Sequence, residues 1–193
     1  MALSDYTRAS ATAGVHRFEF EEVAGFIDSE SLDSTYWSAS IENDLNDRLT
    51  HNVTVGSGAS IGVSSNYVET SQAAYETKWK VFDETIVTGG VNFQRSTESG
   101  GLLKEEIESV QYRVGLRQQI TEHTALGVNF SHYQNESDLT KRDYDQQRLQ
   151  VYCTVDINDK LELRASYQRW DVDSQDDSSF TQNSATLGLT FHF

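Results

Sequence analysis

The stretch Ser131-His132-Tyr133, with Glu136 and Asp138 close behind, brings a hydroxyl, an imidazole and two carboxylates together in the chain. These are the parts of a nucleophile, its base and an orienting acid, and they act only within hydrogen-bond reach of one another. In an extended strand, successive side chains point to opposite faces. Ser131 and His132 are then separated, and the stretch reads as a rim histidine with solvated carboxylates. His16, His51, His123 and His192 are scattered without ligand spacing, and the lone Cys153 can form no internal disulfide. Asp171, Asp173, Asp176 and Asp177 offer the hard oxygen ligands that calcium takes, but lack the glycine and spacing of an EF-hand loop. No catalytic residue, metal or cofactor is assigned.

Within each strand a second polar set falls at even spacings: Glu76, Lys78 and Lys80, then Arg113 and Arg117, Arg148 and Asp156, Glu162 and Arg164. Charges at this spacing lie along single faces of strands, where they can line a polar path. The whole chain carries a net charge of −15, which excludes a nucleic-acid partner, since phosphate binding needs a basic footprint. Only 37% of its 193 residues are apolar, a balance that with this charge suggests disorder. Nine Phe, nine Tyr and three Trp argue against that, because disordered chains are poor in aromatics. The absence of proline removes any proline-rich linker.

The elements that must position these charges are strands. Val53, Val55, Ala59, Ile61 and Val63 alternate with Thr54, Gly56, Gly58, Ser60 and Gly62. Val110, Tyr112, Val114 and Leu116 alternate with Gln111, Arg113, Gly115 and Arg117. Leu149, Val151, Cys153, Val155 and Ile157 alternate with Arg148, Gln150, Tyr152, Thr154 and Asp156. The period is two throughout, and no segment sustains an apolar 3.6 period. Short polar turns fall at Asn46-Asp47-Arg48, Asp83-Glu84, Thr121-Glu122-His123 and Asn158-Asp159-Lys160. Between them lie longer serine-rich acidic stretches: 28–35, 65–72, 95–106, 134–145 and 171–183. The pattern predicts an all-β, up-and-down antiparallel barrel of about ten strands over 12–193, each roughly 9–11 residues long, after an N-terminal segment 1–11. No apolar run reaches the ~20 residues of a transmembrane helix.

The same alternation suits a soluble barrel with an apolar core or a membrane barrel with an apolar outside. Mid-strand charges mixed with glycine and serine favour the second, because a lumen needs room and paired charge. So do long loops at one end with tight turns at the other. Aromatics near strand ends point the same way: Tyr36, Trp37, Tyr75, Phe93, Tyr133, Tyr167 and Trp170. On this reading Glu76, Lys78, Lys80, Arg113, Arg117, Arg148, Asp156, Glu162 and Arg164 line the lumen. Glu136, Asp138, Asp171, Asp173, Asp176 and Asp177 rim an acidic external mouth.

The ending Ala185-Thr186-Leu187-Gly188-Leu189-Thr190-Phe191-His192-Phe193 resembles the C-terminal signal of Gram-negative outer-membrane β-barrels, with Leu187, Leu189, Phe191 and Phe193 at alternate positions. The chain also resembles porin-like barrels of the beta-barrel porin 2 type, with repeated strand pairs joined by short Asn/Asp turns. These resemblances imply an outer-membrane location, a lipid bilayer as surroundings, recognition by the barrel-assembly machinery and no enzymatic activity. They also imply a leader removed ahead of a first segment that lacks a secretory signal. The expected function is a porin-like narrow channel for small solutes or ions. A non-conducting anchor that binds a protein partner through acidic loops is the second reading, and a soluble lipid-carrying barrel the third.

Overall fold

The computed structural model describes residues 2–4, 6–19, 32–61, 67–99, 105–138, 143–175 and 178–191. Gly62, Val63, Asp176, Asp177, His192 and Phe193 lie outside them. Alternation and tight turns produce one sheet: β1 (Ala2–Ser4), β2 (Thr7–Phe18), β3 (Leu32–Asn46), β4 (Leu49–Ile61), β5 (Tyr67–Phe82), β6 (Thr85–Ser99), β7 (Glu106–Thr121), β8 (Thr124–Ser137), β9 (Tyr144–Asn158), β10 (Leu161–Ser174) and β11 (Phe180–Phe191). They lie side by side in chain order, antiparallel to their neighbours. Among the described residues no helix is long and apolar enough to cross a membrane. The fold is an up-and-down antiparallel sheet of ten long strands, of the barrel type.

Every tight turn read from the sequence closes a two-residue loop, with Asn46 opposite Leu49, Phe82 opposite Thr85, Thr121 opposite Thr124 and Asn158 opposite Leu161. Asn46 Oδ1 accepts the Arg48 N–H and Asn158 Oδ1 accepts the Lys160 N–H, both at 2.9 Å. Side-chain acceptors of this kind fix the turn locally. At the other end the strands run further than expected, to 12–16 residues. Residues 67–72, 95–99, 134–137 and 171–174 belong to the ladder rather than to loops. The ladder is made by backbone groups, which keep pairing after the side chains turn polar. The sheet also extends into the segment expected to precede the barrel. β2 starts at Thr7 and β1 pairs with it. Here the outer-face residues Ala9, Ala11 and Ala13 are too weakly apolar to mark a strand.

Residues directly opposite each other share a face, so the register carries the alternation across the sheet. One outer row runs Leu49–Trp79–Val87–Leu116–Val128–Val151–Tyr167–Ala185, across β4 to β11. This apolar row is not packed away. Trp79 is 50% exposed and Val151 48%, while Ala125 is the one buried hydrophobic residue among those described. A soluble barrel would bury this face. Tyr36, Tyr133 and Trp170 depart from the expected aromatic girdle. They sit opposite Gly14, Gln111 and Arg148, on the polar face. Position along a strand was legible, but a one-residue difference in parity sends a ring to the other side.

Candidate functional site on the polar face

The polar face is crossed by a row with one residue from each long strand: Arg8, Glu42, Asn52, Glu76, Gly90, Arg113, Ser131, Arg148, Trp170 and Gln182. A cavity of about 660 Å³ opens on this face, and its lining runs from Glu42 on β3 to Gln150 on β9. A single cavity lined from so many strands requires the sheet to curl around its polar side.

Within the row, Arg113 Nη2 donates to Glu76 Oε1 at 2.5 Å. The two residues lie on strands separated by β6, and Gly90 lies between them. A Cβ there would sit 3.2 Å from Tyr75 O, 3.5 Å from Glu76 Cγ and 3.9 Å from Arg113 Nε, so the missing side chain relieves a close backbone approach and leaves the path over which the guanidinium reaches. Arg148 is held differently. Its Nε and Nη2 both donate to Gln168 Oε1, at 2.9 and 2.5 Å, and its Cζ stands 5.4 Å from the centre of the Trp170 ring. An amide and a ring face orient a cation without cancelling its charge. Arg164 lies 4.6 Å over the Tyr152 ring, and that ring occupies the space that a side chain on Gly127 would need.

The other charges expected on this face have these surroundings. Lys78 lines the cavity. Lys80 Nζ stands 3.3 Å from Asp83 at the turn, and Arg117 donates to Gln119 at 3.2 Å. Asp156 and Glu162 face each other across β9 and β10. Among these charges, Glu76 and Arg113 form an ion pair, while Arg148 and Arg164 lean on aromatic rings. Glu42, Gln168, Trp170, Tyr152 and Gly90 were missed as site residues, because each matters only through its cross-strand neighbours.

The acidic set is placed away from the polar face. Glu136, Asp171 and Asp173 share rows with Glu108, Gln147 and Asp145, on the same side as the apolar band but beyond it. They form a collar outside the wall. Asp171 accepts both Arg169 Nε and Nη2, at 2.8 and 2.9 Å, and Thr181 Oγ1 at 2.7 Å. These bonds hold its carboxyl below the usual carboxylate range. Asp138 Oδ1 accepts the N–H of Glu106 at 3.0 Å and so ties two strand ends together. Ser131 pairs with Arg113 and Arg148 on the polar face, whereas His132 lies on the outer face 3.4 Å from Asp145. The hydroxyl and imidazole are thus divided by the sheet itself.

No family model matches this chain, and no curated protein matches it by sequence. Solved structures do match. The whole chain superposes on the outer membrane channel DcaP of Acinetobacter baumannii with a TM-score of 0.78 at 15% identity, covering 60% of that protein. Over 96% of its length it superposes on an anion-selective porin from Comamonas acidovorans, with a TM-score of 0.71 at 12% identity, covering 56% of that protein. On the NanC porin the TM-score is 0.53 at 10% identity, with 97% of each chain covered. The likeness at such identities is one of fold: the wall of an outer-membrane β-barrel.

Proposed function

We propose that the chain forms wall of a porin-like channel in the bacterial outer membrane, passing small solutes or ions along its polar face without catalysing a reaction. The observation that carries this reading is the pairing of an exposed apolar outer face with a charged cavity on the other side. Lipid suits the first, and water with dissolved ions suits the second. The bore is set by the side chains that project over the cavity, Arg113 and Arg148 foremost, which makes the passage narrow at their row. In β11, Leu187, Leu189 and Phe191 share the outer face, and we assign this strand to recognition by the barrel-assembly machinery.

Planar-bilayer recording of protein extracted from outer membranes tests the proposal. Small, salt-dependent currents are expected, with a reversal potential that moves toward cation preference in an Arg113→Ala/Arg148→Ala variant. Silence in both proteins would refute the channel and favour the anchor reading. That second reading draws on the outward acidic collar of Glu108, Glu136, Asp145 and Asp173, which a basic partner would fit.

A further inference from the structure

The cations of the polar face differ in what already holds them. Arg113 is paired with Glu76. Arg148, half-buried in the lining of the same cavity, has no carboxylate partner among the described residues. Gln168 Oε1 accepts from its Nε and Nη2, and the Trp170 ring stands 5.4 Å from its Cζ. The Nη1/Nη2 edge is left with two parallel N–H groups, the fork that a carboxylate accepts. Neutral polar groups adjoin it. Ser131 lies opposite Arg148, and Asn129 lies opposite Gln150, two residues further along β8 and β9. All four line the cavity. The Ser131 hydroxyl has no protein partner among the described residues. Asn129 Nδ2 donates to Gln150 Oε1 at 3.3 Å, which leaves the Gln150 amide nitrogen to donate elsewhere. Asn129 Oδ1 and Thr88 Oγ1 lean over Gly115, at 2.6 and 2.5 Å from where its Cβ would stand, so two acceptors occupy the floor there.

We propose that this corner of the cavity is a binding subsite for a polyhydroxylated monocarboxylate, an acid of the aldonic type. Its carboxylate sits on Arg148 and Ser131, and its hydroxyls on Gln150, Asn129 and Thr88. The proposal names the solute class for the channel reading and rests on that reading for the solute's route. Three features carry it. First, an amide and a ring hold the Arg148 guanidinium in place without cancelling its charge, so the fork is set before a solute arrives. Second, the Arg148–Ser131 and Gln150–Asn129 pairs are two residues apart along the strands, about 7 Å. That is the reach from the carboxylate to the far hydroxyls of an extended six-carbon sugar acid. Third, amides and hydroxyls both give and take hydrogen bonds, as a solute hydroxyl does. Facing an alkyl chain they would lose those bonds, so the subsite rejects an acid of equal length without hydroxyls. Glu42 and Glu76 line the other side of the cavity and oppose a second anionic group on the solute.

Saturation-transfer NMR on protein extracted from outer membranes, titrated with D-gluconate, hexanoate and sorbitol, measures binding without currents. Gluconate should bind at least about tenfold more tightly than either of the others, since hexanoate lacks the hydroxyls and sorbitol the carboxylate. Arg148→Gln should bring gluconate down to the affinity of sorbitol. Asn129→Ala with Gln150→Ala should bring it down to that of hexanoate. Equal binding of gluconate and hexanoate, or of gluconate and sorbitol, would overturn the proposal. A gluconate affinity unmoved by Arg148→Gln would overturn it too. Should the variants fail to fold, the comparison of the three solutes on the unaltered protein decides. Currents through a protein that shows no preference for gluconate would defeat the subsite and leave the channel standing. Tight gluconate binding by a protein that is silent in planar bilayers would defeat the channel and leave the subsite standing.

Discussion

Gly90 lets an arginine on one strand reach a carboxylate two strands away, and this crossing ties three strands together over the cavity. The Arg113 and Glu76 side chains are both about half exposed, so solvent screens their attraction. Glu76→Gln should therefore cost no more than about 1 kcal/mol in urea unfolding from vesicles. Its effect on function should be larger, because Arg113 then presents its charge to the cavity and the reversal potential moves toward anions. Gly90→Leu should part the pair but leave both charges beside the cavity, so its selectivity should move less than that of Glu76→Gln. A Glu76→Gln protein that unfolds much more easily, or a Gly90→Leu protein that moves as far toward anions as Glu76→Gln, would contradict this account. At the upper end of β9, burial and the neighbouring Tyr133 push the Tyr144 phenol up to about 12, from an ordinary value of 10. A raised folded value favours the neutral form, so its contribution to stability is complete below pH 10 and is lost as pH rises toward 12. Absorbance at 295 nm should show one tyrosine ionising late, and Tyr144→Phe should remove that late component.

Each long strand presents two chemically different surfaces, and β9 offers the sharpest contrast between them. Val151 belongs to the outer apolar row, between Val128 and Tyr167, whereas Gln150 faces Asn129 and Gln168 on the polar side. Arginine at 151 should cost ~2–4 kcal/mol if that site lies at mid-membrane, because its charge must sit in hydrocarbon or drag water in. Arginine at 150 should cost much less, since the cavity is already polar and charged. Equilibrium unfolding of the two variants from the same lipid vesicles compares them directly. Equal costs would mean that the outer face does not meet lipid. At the tight turns, Asn158→Ala leaves the Lys160 N–H without its side-chain acceptor, which should lower stability by about 1 kcal/mol and leave the strand register unchanged. Loss of the adjacent pairings in hydrogen exchange would show that the turn sets the register as well.

Charge is divided over the whole molecule in a way that composition hides. The chain is strongly acidic, with a net charge of −15, yet on the polar face Lys78, Arg113, Arg117, Arg148 and Arg164 offset Glu42, Glu76, Asp156 and Glu162, while other carboxylates stand on the outer collar. Arg169 further neutralises Asp171 there. A pore lined by this face would therefore be less cation-favouring than the net charge implies. Its ion preference should follow lumen substitutions more closely than collar ones, because exposed charges beyond a Debye length are screened, about 8 Å at physiological salt. Asp173→Asn should shift the reversal potential at low salt only, and Arg148→Ala should shift it at physiological salt too. The reverse order would place the selective charges outside the wall.

The sequence by itself determined the class of structure. A two-residue period, turns such as Asn158-Asp159-Lys160 and an absence of helical periodicity are local signals, and backbone geometry converts them directly into strands, hairpins and two faces. Parity along a strand also correctly separated Ser131 from His132. What a single strand cannot encode is which residue of another strand lies opposite it. That depends on register, and only the folded sheet shows that Arg113 reaches Glu76 across Gly90, and that Arg148 rests against Gln168 and Trp170. The extent of each strand was hidden for the same reason, since ladder pairing past the apolar band depends on a partner's backbone and not on local hydropathy.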